Sequence, residues 1–451
     1  MEYSEASYWV QSLIPRGMNL GLTRVKRLCA LLGNPQDSLR VIHVGGTNGK
    51  GSTSAAIAAI VTRSGYKTGL FTSPYIVDIR ESIQIDCSFI SQCDFCNLVG
   101  IIKPHVDSME QEGLYATEFE VLTAMAFLWF RMTNCDLAVV EVGLGGEDDA
   151  TSIIEQPLIS IIASISYDHT AVMGDTLSEI AEYECGIMKP NGVTIAYPDQ
   201  TADALRVIKT KAAELHNRLI VPNMNDLRFS AHPLCGIITY HGHEMRSRLI
   251  GTLYMAKNAS TALEAVSTLQ LYGFIIPDAA ISSALHDLVL PARMEVISNS
   301  PICILNGGGN PGCAEFLRDS IPLLFLDRPV IALCSLMADK QYQSYLDIAI
   351  PSFTKIIATQ APVPRSLQAK DLYTLIREYT DSVDLVEDCY EGFSYGLRSA
   401  LLHGGVLVVC GSFYLCEPIR KYFFAEHPEI SNLEGYLLCQ GTAGHDDDRT
   451  P

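Results

Sequence analysis

Short apolar runs alternate with amphipathic stretches along most of the chain. In the first 200 residues, the runs rich in Val and Ile that have the length of buried strands are residues 41–44, 68–71, 136–142, 158–165 and 193–197. The stretches with helical spacing of apolar positions are residues 55–63, 120–132 and 178–188. This alternation predicts an α/β fold in which helices cover both faces of a mainly parallel sheet.

A second alternating series begins after Pro291. Its predicted strands are residues 302–306, 330–336, 355–360 and 406–411. We therefore predict an N-terminal domain over residues 1–295, with a mainly parallel sheet, and a smaller Rossmann-like α/β domain over residues 296–435, which is a normal domain size. The polar, acidic end, residues 436–451, is expected to form a flexible tail.

Composition narrows the possible partners. A chain of 451 residues with 48% apolar and 18% charged residues describes a compact protein of two or three domains. Its net charge of −19, with no basic block, argues against nucleic-acid binding. No apolar run is long enough for a bilayer, and we expect no secretory signal and no membrane partner. The 14 cysteines have no repeating spacing, which favours free thiols in a reducing cytoplasm.

The most informative segment follows the first predicted strand and reads Thr47-Asn48-Gly49-Lys50-Gly51-Ser52. Glycines let backbone N–H groups approach phosphate oxygens, the start of the following helix adds partial positive charge, and Lys50 adds a full charge. The spacing is one residue shorter than in the common G-x-x-x-x-G-K-[ST] loop, because Gly45 lies four residues before Gly49. An ordinary glycine-rich turn is the alternative, but the segment predicts binding of ATP or a related nucleotide.

This shortened loop resembles that of the Mur ligase superfamily, and within it the folylpolyglutamate synthase/dihydrofolate synthase family. Further segments that match the family pattern, in the same order, are Ser73-Pro74, Glu141-Val142-Gly143-Leu144-Gly145-Gly146, Asp168-His169, Asn258-Ala259-Ser260, Pro291-Ala292-Arg293, Met337-Ala338-Asp339-Lys340, Pro364-Arg365-Ser366 and Cys410-Gly411-Ser412. The resemblance implies a two-domain ATP-dependent amide ligase of folate metabolism that uses ATP and Mg²⁺ and is a monomer.

The resemblance also implies roles for individual residues. Glu141 ends a predicted strand beside glycines, which by itself suits either a metal that bridges phosphates or a solvated turn residue. In the family, the residues at Ser73, Glu141 and His169 hold magnesium, and those at Lys50, His169 and Glu184 are expected to be catalytic. The ATP-binding set then comprises Thr47, Asn48, Gly49, Lys50, Gly51, Ser52, Asn258 and Arg293, and the pterin side comprises Thr117, Phe119 and Asp149.

The chain departs from the family pattern at several of these places. Glu184 takes the position of a lysine that the family carbamylates to hold a second magnesium; its charge matches the carbamate, but its reach is shorter by roughly 3–4 Å. A shifted metal, a bridging water, a weakly held second metal or a plain surface role for Glu184 remain open. The other departures are Asn306 for Asp, Gly309 for His, Glu147-Asp148 for Arg-Leu, and Tyr75 for His.

Three hypotheses about function follow. The first is a ligase that joins glutamate to a folate or dihydropteroate-type acid through an acyl phosphate. The second keeps this mechanism but changes the acid or the amino acid, because Glu147 and Asp148 disfavour an anionic amine substrate. The third is a nucleotide-binding homologue without catalysis, because an Asp and a His of the family pattern are missing.

Overall fold

The computed structural model describes residues 1–17, 19–232, 235–247 and 252–427, so the predicted tail at 436–451 lies outside the described residues. The strands are β1 Val41–Gly45, β2 Thr68–Phe71, β3 Ile83–Ile85, β4 Ser88–Phe89, β5 Leu137–Glu141, β6 Ile159–Ile162, β7 Val193–Ala196, β8 Arg218–Ile220, β9 Arg228–His232, β10 Cys235–Tyr240, β11 His243–Ser247, β12 Arg293–Asn299, β13 Ile302–Asn306, β14 Val330–Cys334, β15 Lys355–Gln360, β16 Val383–Asp388 and β17 Val406–Cys410. The α-helices are α1 Tyr3–Gln11, α2 Thr23–Leu31, α3 Lys50–Arg63, α4 Gln92–Gln111, α5 Glu118–Met132, α6 Thr170–Met173, α7 Leu177–Glu184, α8 Ala202–Glu214, α9 Leu253–Leu269, α10 Asp278–Asp287, α11 Pro311–Leu324, α12 Tyr342–Ala349, α13 Ala369–Arg377, α14 Cys389–Leu402 and α15 Phe413–Glu426.

The first domain is built on an eight-stranded sheet in the order β4-β3-β2-β5-β1-β6-β7-β8. Six strands, in the order β2-β5-β1-β6-β7-β8, pair in parallel, while β3 and β4 add an antiparallel edge. β1 and β5 are buried along their whole length, as expected for central parallel strands covered on both faces. The predicted mainly parallel α/β domain is confirmed.

Helices cover both faces of this sheet. On one face α3 packs against α9 and α10, and apolar side chains of these helices and of β1, β5 and β6 form one core. On the other face α1, α2, α4 and α5 form a second core with the opposite side of β1 and β5 and with β2 and β3. A separate antiparallel sheet, β11-β10-β9, adjoins α10. Because β1 is central, the loop that follows it lies at the middle of the sheet edge.

The second domain contains a six-stranded sheet in the order β12-β13-β17-β14-β15-β16. All neighbours are parallel except β12, which pairs antiparallel with β13. Its two faces carry separate cores, one beneath α11, α12 and α13 and the other beneath α14 and α15. The predicted second α/β domain is therefore present. No helix within the described residues combines the length and apolar character needed to span a bilayer.

Candidate nucleotide site between the domains

The segment between β1 and α3 is a tight loop that excludes side chains at two positions. Gly46 and Gly49 have φ angles of +114° and +84°, in the left-handed region that glycine adopts readily. A Cβ on Gly46 would lie 2.9 Å from the backbone of Ala163, and one on Gly49 would lie 2.5 Å from Asn258 Oδ1. The predicted glycine-rich loop is present, and α9 closes over it through Asn258.

The backbone N–H groups of this segment differ in whether they have an acceptor in the protein. Thr47 and Asn48 N–H both donate to the carbonyl of Ser164, at 2.9 and 3.0 Å. The N–H groups in the first turn of α3 have no acceptor within the helix. The N-terminus of α3, rather than the beginning of the loop, therefore has backbone N–H groups available to an anion such as phosphate. The ammonium of Lys50 lies over the loop and donates to the carbonyl of Gly46 at 2.6 Å.

Glu141 ends β5, the strand next to β1, and its carboxylate is nearly inaccessible at 3% exposure. Its Oε2 accepts from the backbone N–H of Ser73 at 3.1 Å. Burial raises the pKa of Glu141, while Lys50 and Arg293 act in the opposite direction. A Cβ on Gly51 would lie 3.2 Å from both Arg293 Nη2 and Glu141 Oε2. Cationic and anionic groups thus meet at the start of α3.

Asp168 and His169 follow β6 on the same edge of the sheet. Lys340 of the second domain forms an ion pair with Asp168 and its Nζ lies 3.0 Å from His169 Nε2. Burial lowers the pKa of His169, and the neighbouring lysines add to this effect. Burial opposes ionisation of Asp168, but Lys340, His169 and donated hydrogen bonds outweigh it, so the pKa of Asp168 lies below its ordinary value. The imidazole is therefore neutral beside an ionised carboxylate.

Asn310 joins the second domain to the phosphate loop. Its Nδ2 donates to Asn48 Oδ1 and to Asp168 Oδ2, both at 3.0 Å. Its Oδ1 accepts from Asn48 Nδ2 at 3.3 Å and from the N–H of Cys313 at 2.9 Å, which caps α11. A Cβ on Gly312 would lie 2.6 Å from Asn48 Nδ2, so the start of α11 approaches the loop closely. The two domains share this part of the site.

A cavity of about 430 Å³ lies between the domains at this point. All eight predicted ATP-binding residues and all three predicted metal ligands line it: Thr47, Asn48, Gly49, Lys50, Gly51, Ser52, Asn258, Arg293, Ser73, Glu141 and His169. Among the residues that the structure describes, no group of three His, Cys, Asp or Glu side chains is arranged to hold a metal ion. The candidate set of Ser73, Glu141 and His169 includes only two such side chains. The structure brings the predicted nucleotide and metal residues together.

Four other predicted site residues, Glu184, Thr117, Phe119 and Asp149, are described but do not line this cavity. Glu184 is 1% exposed, so it is not a surface residue of α7. Thr117 caps α5. The ring of Phe119 lies against Gly143, where a Cβ would be 2.5 Å from its Cζ. These side chains support the backbone around the site.

Asp149 is the centre of a buried hydrogen-bond chain. Its Oδ2 accepts from the N–H groups of Gly143 and Leu144, at 3.1 and 2.9 Å. Its Oδ1 accepts from the hydroxyl of Thr151 at 2.6 Å. That hydroxyl also lies 2.8 Å from His43 Nε2; because the hydroxyl proton goes to Asp149, His43 Nε2 must carry a proton. Burial raises the pKa of Asp149 to about 6. The chain ties β1 to the turn after Glu141.

The departures from the family pattern fall in two places. Asn306, Gly309 and Tyr75 line the cavity, whereas Glu147 and Asp148 do not. A Cβ on Gly309 would overlap the carbonyl oxygen of Gly411, so this backbone excludes any side chain there. The hydroxyl of Tyr75 donates to Glu118 Oε1 at 3.2 Å, and the carboxylate of Asp148 accepts from Tyr183 at 2.8 Å.

Sequence reasoning assigned no role to several cavity residues. Lys340 and Arg365 line the cavity from the loops after β14 and β15. Tyr254 and Phe316, one from each domain, make an edge-to-face contact with ring centroids 5.3 Å apart and also line it. The available signal for the two cations was their position just beyond predicted parallel strands, where ligands gather in α/β sheets. The aromatic pair had none, because it forms across the domains.

A phosphate-loop α/β domain that faces a second α/β domain across a cation-lined cavity defines a Mur ligase-type, ATP-dependent ligase. The chain is 32% identical over 435 residues to the dihydrofolate synthase/folylpolyglutamate synthase of Bacillus subtilis, covering 93% of this chain and 98% of that protein. It is 30% identical over 440 residues to the folylpolyglutamate synthase of Lacticaseibacillus casei, with 93% and 98% covered. The chain belongs to the folylpolyglutamate synthase/dihydrofolate synthase family.

Solved structures agree with this assignment. The folylpolyglutamate synthase of Mycobacterium tuberculosis complexed with ADP superimposes with a TM-score of 0.84 at 26% identity, covering 94% of this chain and 99% of that one. A folylpolyglutamate synthase in complex with AMPPCP and folate superimposes with a TM-score of 0.80 at 28% identity, with 94% and 99% covered. No protein-family model matches the chain.

Proposed function

We propose that this protein uses ATP to join glutamate to the carboxylate of a folate or dihydropteroate-type acid. The observation that carries the proposal is the convergence of Lys50, Arg293, Lys340 and Arg365 on one cavity at the N-terminus of α3. Four cations beside a helix N-terminus suit a triphosphate and an anionic amino acid in the same place. The relatives named above are synthases of this kind, and the substrates of this chain are inferred from them.

The proposed chemistry has two steps. The acid's carboxylate oxygen attacks the γ-phosphorus of ATP, so that ADP leaves and an acyl phosphate forms. The amine of glutamate then attacks the acyl carbon, and phosphate leaves as the amide bond forms and the amine gives up a proton. Lys50 and the first turn of α3 hold the phosphates, and the protein contributes mainly position and charge stabilisation. Closure of the two domains around the cavity would keep water from the acyl phosphate.

We propose Ser73, Glu141 and His169 as the residues that hold Mg²⁺. A buried carboxylate that accepts the backbone N–H of Ser73, a neutral imidazole and a neighbouring serine supply oxygen and nitrogen donors at one end of the cavity. This donor set fits a divalent cation that binds together with nucleotide phosphates. When bound, the metal would neutralise charge on the phosphates during transfer.

A nucleotide-binding protein without ligase activity is the second candidate, because Asn306 and Gly309 replace a carboxylate and an imidazole of the family pattern within the cavity. A changed amino-acid substrate has less support. Glu147 and Asp148, whose charges suggested it, do not line the cavity.

We also propose a monomeric protein of the cytoplasm without nucleic-acid or membrane partners. The twelve cysteines whose side chains are described are free thiols, which fits a reducing compartment. The net charge of −19 fits the expected absence of nucleic acid.

Product formation tests the ligase directly. The protein is incubated with ATP, Mg²⁺, glutamate and either dihydropteroate or a reduced folate, and ADP and the new amide are measured together. We expect ADP release that requires both the acid and glutamate. Lys50→Met should abolish it, whereas Lys67→Met, which changes an exposed lysine, should not. Nucleotide binding without product for any acid or amino acid would favour the second candidate.

A further inference from the structure

Glu184 places a buried carboxylate underneath the phosphate loop. It is the last residue of α7, and its Oε2 accepts the N–H of Gly46 at 2.8 Å. A Cβ on Gly45 would lie only 3.1 Å from the same oxygen. The carboxylate therefore contacts the beginning of the phosphate loop directly, although Glu184 does not line the cavity.

The end of α7 that carries Glu184 is itself held in place. The N–H of Gly146 donates to the carbonyl of Tyr183 at 3.0 Å, and a Cβ on Gly146 would overlap the carbonyl of Glu184. Gly146 belongs to the turn that follows Glu141. The position of Glu184 is therefore tied to the segment that carries the cavity carboxylate as well as to the loop.

Gly46 needs the acceptor that Glu184 provides. Its φ of +114° and its close approach to Ala163 leave room for no side chain, and a buried N–H without an acceptor is costly. On the other side of the residue, the carbonyl of Gly46 accepts from Lys50 Nζ at 2.6 Å. Gly46 is thus fixed by a carboxylate at its N–H and by the cavity lysine at its carbonyl.

We infer that Glu184 is a positioning residue, which orients the Gly46 peptide and thereby sets the loop and Lys50 in the arrangement that receives a triphosphate. It acts through the loop and does not touch the nucleotide. The inference rests on the proposed nucleotide function of the site. It differs from the metal-binding role that the resemblance implied for this position, because Oε2 accepts a backbone N–H and Glu184 does not line the cavity.

The test compares Glu184→Ala, which removes the acceptor, with Glu184→Gln, which removes the charge and keeps an acceptor oxygen. Glu182→Gln is the matched control, because Glu182 lies on the same helix and pairs with Lys211 at the surface. Two quantities are measured without any ligase substrate: the affinity for a non-hydrolysable ATP analogue by calorimetry, and backbone hydrogen exchange in peptides that cover residues 45–50.

We expect E184A to bind the analogue about tenfold or more weakly, since a hydrogen bond to a charged acceptor is lost, and to exchange faster in the loop peptides. E184Q should stay within about threefold of wild type with a protected loop, and E182Q should be unchanged. If E184A does not fold, Glu184→Asp replaces it; its carboxylate is one methylene too short, so the same loss is expected.

Two results would overturn the inference. One is wild-type affinity and loop exchange in E184A or E184D; the other is an E184Q as impaired as E184A, which would mean that the charge matters and the acceptor does not. These outcomes differ from a failure of the proposed function, in which the wild-type protein itself would not bind the analogue.

Discussion

The ion pair between Arg420 and Glu295 offers a sharp test of how the second domain supports the cavity. Arg420 Nε lies 3.0 Å from both carboxylate oxygens of Glu295, and the two side chains are only 3% and 1% exposed. Glu295 Oε2 also accepts from the N–H of Ala292 at 2.9 Å. Ala292 precedes the cavity residue Arg293, so the pair fixes a segment of the site.

Arg420→Met fills similar space but leaves the Glu295 carboxylate buried without its partner. Removing one member of a buried pair costs about 3–5 kcal/mol. For a domain of this size, each 1 kcal/mol lowers the melting temperature by about 2–4 °C, so we expect a decrease of about 6–20 °C. The double variant E295Q/R420M removes both charges of this pair and keeps an acceptor for Ala292, so more than half of the loss should be recovered.

Tryptophan fluorescence reports on unfolding of the first domain, whereas circular dichroism reports on both domains. Trp9 and Trp129 are the chain's two tryptophans and both lie in the first domain, on α1 and α5. The R420M transition should therefore shift in the circular dichroism signal more than in fluorescence. Arg318→Met, which breaks an exposed pair with Asp319, is the control and should cost less than about 1 kcal/mol. The reasoning fails if R420M costs no more than R318M, or if the double variant is as unstable as R420M.

Three further predictions test the buried framework of the site. Burial lowers the pKa of His43 to about 3, so between that pH and the ordinary pKa of histidine the unfolded chain binds a proton that the folded chain does not. The free energy of unfolding should therefore fall with decreasing pH by up to about 1.4 kcal/mol per pH unit. Urea unfolding of His43→Gln should show a shallower fall. Gly309→Ala forces a backbone overlap and should lower the free energy of unfolding by about 1–3 kcal/mol. The control Gly100→Ala has open space at its Cβ in a helix and should raise the free energy of unfolding by about 0.5–1 kcal/mol. Equal unfolding midpoints for the two variants would contradict this. Asp149→Ala leaves three backbone N–H groups without their acceptor and should destabilise by about 3 kcal/mol or more; unchanged stability with a raised KM for the acid would instead identify Asp149 as a substrate ligand.

Sequence patterns predicted the central strands because a strand buried on both faces is a continuous apolar run. The runs at 41–44 and 406–411 became β1 and β17, at the centres of their sheets. Edge strands gave no such signal. β16 buries only its first residue, β4 has two residues, and the antiparallel β9–β11 sheet lies outside both main sheets.

Only those cavity residues that lie at the edge of the first sheet could be predicted from the strand pattern of the sequence. Glu141 ends a parallel strand of the first sheet, and Lys50 and His169 follow two others, so topology brings them together. Lys340 reaches His169 from the other domain, and no rule of strand order fixes that approach. Glu184 and Asp149 do not line the cavity, and the sequence could not show this, because a carboxylate that accepts backbone N–H groups has the same sequence appearance as one that faces a ligand.

The distribution of charge explains how so acidic a chain can serve anionic substrates. The chain carries −19 overall, yet its interdomain cavity presents four cations, Lys50, Arg293, Lys340 and Arg365, against three carboxylates, Glu141, Asp168 and Glu417. Within a low-dielectric cleft, local charge governs binding more strongly than distant surface charge, which salt screens within about 10 Å. The replacement of an acidic residue by Asn306 acts in the same direction, because a carboxylate there would have balanced the four cations. The exchange at Glu147-Asp148 adds its negative charge outside the cavity. Whether a departure from the family pattern affects anion binding therefore depends more on its position relative to the cavity than on the number of charges that it changes.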